Sequence, residues 1–163
     1  MMPSTGGPAR RLTAFHREDW APRWSPDGRW IAFLSNREGV DRVYLVAPDG
    51  TGLRALGAAG ADTALSEAEP AWSPDGTRIA LTLRRRGGGA RVAVADAASG
   101  RVTLVSGADE TASLPAWSPD GRHLAYTADR AGDADLRIAR ADGSAAATVV
   151  RSPGPDWLPR WLP

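Results

Sequence analysis

Two histidines, three serines in a recurring context, a small acidic cluster and one run of arginines beside glycines are the groups in this 163-residue chain that could do chemistry. His16 or His123 could serve as a general base, but a serine nucleophile also needs an orienting acid and a strained elbow. No Gly-x-Ser-x-Gly elbow occurs, and Ser25, Ser73 and Ser118 each sit in Trp-Ser-Pro-Asp-Gly, a turn sequence. Asp129, Asp133 and Asp135 cluster around Gly132. A hard-cation loop would need an Asp-x-Asp-x-Asp-Gly run and a distal Glu, and only Asp133-Ala134-Asp135 fits, so a solvated turn is expected. Asp109-Glu110 reads likewise. Arg84-Arg85-Arg86-Gly87-Gly88-Gly89 could cradle an anion on glycine amides. It lacks the strand-to-helix context of a nucleotide site, and a basic hairpin tip is the expectation. Residues for catalysis, a cofactor or a metal are therefore not assigned.

The elements that would position these residues repeat. Trp24-Ser25-Pro26-Asp27-Gly28 returns as Trp72-Ser73-Pro74-Asp75-Gly76 and as Trp117-Ser118-Pro119-Asp120-Gly121, and a further copy opens near Trp157 and Trp161. The spacings are 48, 45 and 44 residues. In the first copy the turn 25–28 is followed by an apolar run at 29–34, a turn at 36–39, a strand at 42–46, a turn at 48–50 and a strand at 53–56. The other copies repeat this with strands at 78–83, 91–95 and 101–105, and at 123–128, 136–140 and 147–150. These strands do not alternate, so each sheet must be covered on both faces. A period in the forties built from four short antiparallel strands predicts β-propeller blades, sandwiched radially because one blade cannot bury its own faces.

Composition narrows the rest. Hydrophobic content is 42%, charged content 24% and net charge +1, which gives no reason to expect nucleic acid as partner. The absence of cysteine excludes disulfides and thiolate metal sites. No stretch approaches the ~18 apolar residues of a membrane span. Residues 1–11 carry no signal-peptide core, so the chain as written reads as cytoplasmic, or as periplasmic or extracellular if its true N-terminus is missing.

Pro22, Trp24 to Gly28, Ile31 to Phe33, Ser35, Arg37, Gly39, Val43, Tyr44, Asp49 and Gly50 resemble the TolB-type, or PD40, propeller repeat, a WD40-like family. The resemblance implies an all-β chain of four-stranded antiparallel blades at about 20–56, 68–105 and 113–150, with incomplete blades at 6–15 and 155–163. It implies a non-catalytic scaffold for protein or peptide binding, and the partial blades at both ends are read as those of a fragment of a longer propeller. The same repeat occurs in the substrate-gating propellers of prolyl-oligopeptidase-like (S9) serine peptidases, whose catalytic residues would lie outside this chain, and in TolB-like envelope proteins.

The repeat tryptophans Trp24, Trp72, Trp117 and Trp161 read as blade spacers. Trp20 and Trp157 have no aromatic counterpart in the middle copies, which carry Ala68 and Ser113. With the hairpin tips around Arg37, Arg85 and Arg130 they form the expected binding surface. Two bare end faces would expose on the order of 500 Å², the upper limit for a soluble monomer. Self-association through the end blades is therefore a further expectation.

Overall fold

A computed structural model describes residues 9–14, 18–58, 60, 62, 64–130, 133–150, 159 and 161. All regular structure among them is strand, in three four-stranded antiparallel meanders. The first contains β1 (Asp19–Trp24), β2 (Ile31–Ser35), β3 (Arg42–Val46) and β4 (Arg54–Ala55). The second contains β5 (Leu65–Trp72), β6 (Arg78–Arg85), β7 (Ala90–Asp96) and β8 (Val102–Leu104). The third contains β9 (Thr111–Trp117), β10 (His123–Arg130), β11 (Asp133–Arg140) and β12 (Ala146–Val150). Among the described residues no helix is long and apolar enough to cross a membrane.

The middle strands explain the missing alternation. Every residue of β2 and β3 is buried, because blade 1 carries apolar packing on both faces. Blade 1 sends Ala32, Leu34, Val43 and Leu45 from its rear onto Ile79, Leu81, Ala93 and Ala95 on the front of blade 2. The rear of blade 2 sends Ala80, Val92 and Val94 onto Leu124, Tyr126 and Ala128 of blade 3. Each interface thus pairs a small residue on the second strand of one blade with a large one on the next. Buried Arg42 ties these layers to their connections: its guanidinium donates to the carbonyls of Asp62 and Leu65, both at 2.8 Å.

Three features differ from the expectation. β6 and β10 run further, so Arg84, Arg85 and Asp129 lie on paired strands and Arg130 pairs with Asp133 at the ladder's end. A carboxylate-bearing ladder stands where a turn is expected, since two matching strands continue the hairpin to its shortest connection. Residues 9–14 form no strand. Leu12 instead packs on the front of blade 1, against Ile31, Phe33, Tyr44 and Val46. The front of blade 1 is accordingly not bare: these four residues are 7%, 5%, 4% and 1% exposed. The Arg37 guanidinium adds to the cover, lying 4.3 Å from the Tyr44 ring centroid and 5.6 Å from that of Phe33.

Candidate binding site

The recurring turn is held by its own polar atoms. Ser73 is fully buried, its hydroxyl donates to Asp75 Oδ1 at 2.5 Å and its Oγ accepts the Arg78 N–H at 3.0 Å. Ser25 and Ser118 repeat this with Asp27 and Trp30 and with Asp120 and His123. Pro26, Pro74 and Pro119 are exposed at the corners, and Gly28, Gly76 and Gly121 close the turns at φ of 69°, 70° and 67°. The Ser25 and Ser118 hydroxyls, with backbone N–H groups, hold Asp27 and Asp120 below the ordinary carboxylate range. At Asp75 burial pushes the other way, and hydrogen bonds from Ser73 and Thr77 outweigh it. These hydroxyls are committed to turn closure and are not nucleophiles waiting for a base.

The inner strands carry a second repeated device. Ala21, Glu69 and Leu114 each lie three residues before a repeat tryptophan and adopt φ of 52°, 54° and 58°. Each precedes a proline, Pro22, Pro70 or Pro115, and at each the ladder slips by one residue. This is a β-bulge in the first strand of every blade. Non-glycine residues in the left-handed region store strain and concentrate where a surface is shaped for use. The proline two before each tryptophan was the sequence signal, and composition alone could not show what it does to the backbone.

The three bulges converge on a cleft of about 580 Å³. Its walls include Trp20, Ala21, Arg23, Pro70, Leu114 and Pro115, with Pro159 at one side. Glu69 is its polar pivot. One carboxylate oxygen accepts the Thr82 hydroxyl at 2.7 Å and the Leu114 N–H at 2.8 Å, and the other is paired with Arg84. The side chain therefore links blade 2 to blade 3 while lining the cleft. Glu67 is fully buried behind it and accepts the Val43 N–H at 2.7 Å, linking blade 2 to blade 1. Asp41 and Arg23 add one charge of each sign to the wall.

Of the surface expected from sequence, Trp20 lines this cleft, half-buried. Arg37 is committed within its own blade, donating to Asp19 at 3.0 Å and to Ser35 Oγ at 2.9 Å. Burial pushes the Asp19 carboxyl up, but hydrogen bonds from Thr13, Ser35 and Arg37 outweigh it and hold it low. Arg85 is exposed and lines a separate cleft of about 710 Å³ with Gly88, Gly89, Asp109 and Glu110. The Glu110 carboxylate is spoken for, accepting the Gly107 N–H at 2.8 Å and the Tyr126 hydroxyl at 3.1 Å and pairing with Arg137. Trp157, His16 and the Arg130 and Asp133 side chains lie outside the described residues. Asp129 and Asp135 stand on facing strands, and no cluster of three metal-ligating side chains occurs among the described residues.

The repeat tryptophans form a relay between blades. The Trp72 indole N–H donates to the Arg23 carbonyl at 3.1 Å, Trp117 to Ala71 at 2.9 Å, and Trp161 to Ala116 at 3.1 Å. Each acceptor is the residue just before the preceding repeat tryptophan.

Comparison with known proteins agrees with this architecture. Residues 64–163 match the family profile described as PD40, TolB beta propeller domain. A 36-residue stretch is 50% identical to the Tol-Pal system protein TolB of Syntrophus aciditrophicus strain SB, covering 22% of this chain and 8% of that protein. The fold superposes on a protein assigned as TolB from Agrobacterium tumefaciens with a TM-score of 0.70 and 22% identity, covering 90% of this chain and 54% of that one. It superposes on a puromycin-hydrolyzing peptidase of Mycobacterium tuberculosis with a TM-score of 0.64 and 21% identity, covering 86% of this chain and 25% of that one. The chain thus spans about half the length, or less, of the proteins it matches, and the two structural likenesses speak to fold alone.

Proposed function

Since the chain belongs to the TolB beta propeller domain family, we propose that it is a non-catalytic scaffold whose bulged inner strands bind a protein or peptide segment. The observation that carries this reading is the cleft at the three bulges. Repeated strain shapes it, and side chains that do not repeat line it: Trp20 and Ala68 at one level, Ala21, Glu69 and Leu114 at the next. A repeated frame with varied side chains is how a propeller separates folding from recognition. The prolines remove N–H donors from the inner edge, so edge-on strand pairing is blocked and side chains must recognise the ligand.

The test is calorimetric titration of the chain with neutral, acidic and basic extended decapeptides. One of these classes binds, and Trp20→Ala weakens it about tenfold or more at a temperature where the variant, which also loses packing on the core, is still fully folded. Failure of all three to bind, or indifference to Trp20→Ala, refutes the reading.

The superposition on a peptidase propeller favours a second reading, in which the cleft is part of a passage towards a catalytic domain carried elsewhere. Peptides would then cross it with little affinity, and fusion to such a domain would change size selectivity. The short match to a Tol-Pal system protein supports a third, envelope-associated role, which subcellular fractionation of the native protein would test.

A further inference from the structure

The arginine-glycine hairpin of blade 2 carries charge that the fold does not use. Arg84 is paired with Glu69, whereas Arg85, next along the strand, projects from the opposite face. Arg85 is exposed, and its guanidinium has no acceptor among the described residues.

Strand register sets a leucine beside a cation twice. Leu65 is the cross-strand partner of Arg85, and Leu83 is that of Arg91. The period of two puts all four on one face of the sheet, and all four line the cleft of about 710 Å³. Cross-strand partners stand about 5 Å apart at Cβ. Leu104, opposite Ala93 on the same face, adds a third apolar side chain to the cleft and is 48% exposed. Arg91 is held in one orientation: its Nε donates to Ser106 Oγ at 3.2 Å and one terminal nitrogen to the Ser106 carbonyl at 2.5 Å. Its other terminal nitrogen has no acceptor among the described residues. On the blade 3 side the cleft is lined by Asp109, Asp129 and Glu110, the last paired with Arg137.

We propose that this cleft binds the C-terminal residue of a peptide, its carboxylate on Arg85 and Arg91 and its apolar side chain against Leu65, Leu83 and Leu104. A guanidinium matches a carboxylate in shape as well as charge. A C-terminal residue carries its carboxylate and its side chain on one carbon, which suits cations standing directly opposite leucines. An aspartate or glutamate side chain ends in its carboxylate with no apolar branch beside it. The carboxylates on the blade 3 side disfavour a dianion such as phosphate. The volume lies within the range of sites that hold small ligands. The inference is independent of what the cleft at the three bulges binds.

Heteronuclear NMR titration of the full chain with N-acetyl-Gly-Gly-Leu tests it, beside the same peptide as its C-terminal amide, isocaproate and inorganic phosphate. The free-acid peptide should shift the backbone amides of 85–91 and 104–111 saturably. Amidation and Arg85→Ala should each weaken binding about tenfold or more. Arg85 is exposed, so this variant keeps the fold. Arg91→Lys, which keeps the charge and loses the planar fork, should weaken it about fivefold. Absence of a saturable shift overturns the proposal, as does equal binding of acid and amide or indifference to Arg85→Ala. Isocaproate or phosphate binding as tightly as the peptide overturns it too. Shifts confined to 20–23, 67–71 and 114–115 would assign the peptide to the bulge cleft and overturn this site while leaving that one standing.

Discussion

Replacing Ser73 by alanine separates a structural serine from a chemical one. The hydroxyl is fully buried, lies 3.1 Å from the Arg78 carbonyl, and makes its two shortest contacts at 2.5 Å to the Asp75 carboxylate and at 3.0 Å from the Arg78 N–H. A hydrogen bond to a charged acceptor contributes about 1.5–3 kcal/mol, and an ordinary one about 1. Asp75 retains the Thr77 N–H at 3.0 Å and the Thr77 hydroxyl at 2.9 Å, so its loss falls at the lower end. The Arg78 N–H is left with no equivalent. The expected cost is about 3 kcal/mol, which lowers the folding constant by roughly a hundredfold. Equilibrium urea unfolding of wild type and Ser73→Ala, with a shared m-value, reads this directly. A double-mutant cycle with Asp75→Asn should show strong non-additivity, because the two side chains act as one unit. A shift worth less than about 0.5 kcal/mol, the range of an ordinary surface change, would refute the reasoning. The turn would then be held by its backbone alone, and the serines would again be free for another role.

Acid should weaken the fold. The folded-state values of Asp27, Asp75, Asp120 and Asp142 lie below their ordinary 3.8, so their contribution is present above that value and is lost as pH falls through the depressed values, to about 2 for Asp142; urea midpoints at pH 5, 4, 3 and 2.5 should fall steadily, and a flat profile contradicts the linkage. Glu67→Ala strands the buried Val43 N–H and should cost about 3 kcal/mol, read as faster hydrogen exchange at Val43 itself before global unfolding; unchanged exchange there would remove Glu67 as the link between blades 1 and 2. Gly100→Ala should destabilise more than Gly28→Ala. Both have positive φ, but a Cβ at Gly100 would clash with the Leu56 carbonyl, whereas at Gly28 it meets open space, and thermal midpoints in the reverse order would contradict the packing.

The blade register was legible because the Trp-Ser-Pro-Asp-Gly turn fixes one end of every second strand through local hydrogen bonds, which sequence carries whole. β3 matches its expected span, and β6, β7, β10 and β11 differ only where a ladder lengthens toward a hairpin. What escaped is non-local. Nothing in 10–15 says that Leu12 will lie across a sheet face, because that depends on Ile31, Phe33, Tyr44 and Val46 being open to it. Arg37 reads as a free tip cation until Tyr44 and Asp19, brought beside it by strand pairing, claim it. The bulge was half legible: proline two before each tryptophan marks a place where pairing must fail, but the sign of φ at Ala21, Glu69 and Leu114 is set by the tertiary ladder.

That recurring bulge constrains how any ligand can be read. A strained residue costs of order 1 kcal/mol or more, and the fold accepts it three times at one height of the inner strands. Turn closure does not require it, since the turns lie at the other end of those strands and close on their own serine and aspartate bonds. The bulges bring side chains three and four before each tryptophan to the cleft, Ser113 excepted, and at those positions the repeats stop agreeing. Trp20 faces where Ala68 and Ser113 stand in the other blades, and Glu69 where Ala21 and Leu114 stand. Recognition on this reading resides in the departures from the repeat, and stability in the repeat itself. Glu69 belongs to both, bridging Thr82 and Leu114 N–H across two blades while its carboxylate borders the cleft. Substituting it would therefore change binding and blade cohesion together, whereas Trp20 makes no polar bridge between blades and touches the core only as a half-buried ring, so its two effects are told apart by measuring binding and unfolding on the same variant.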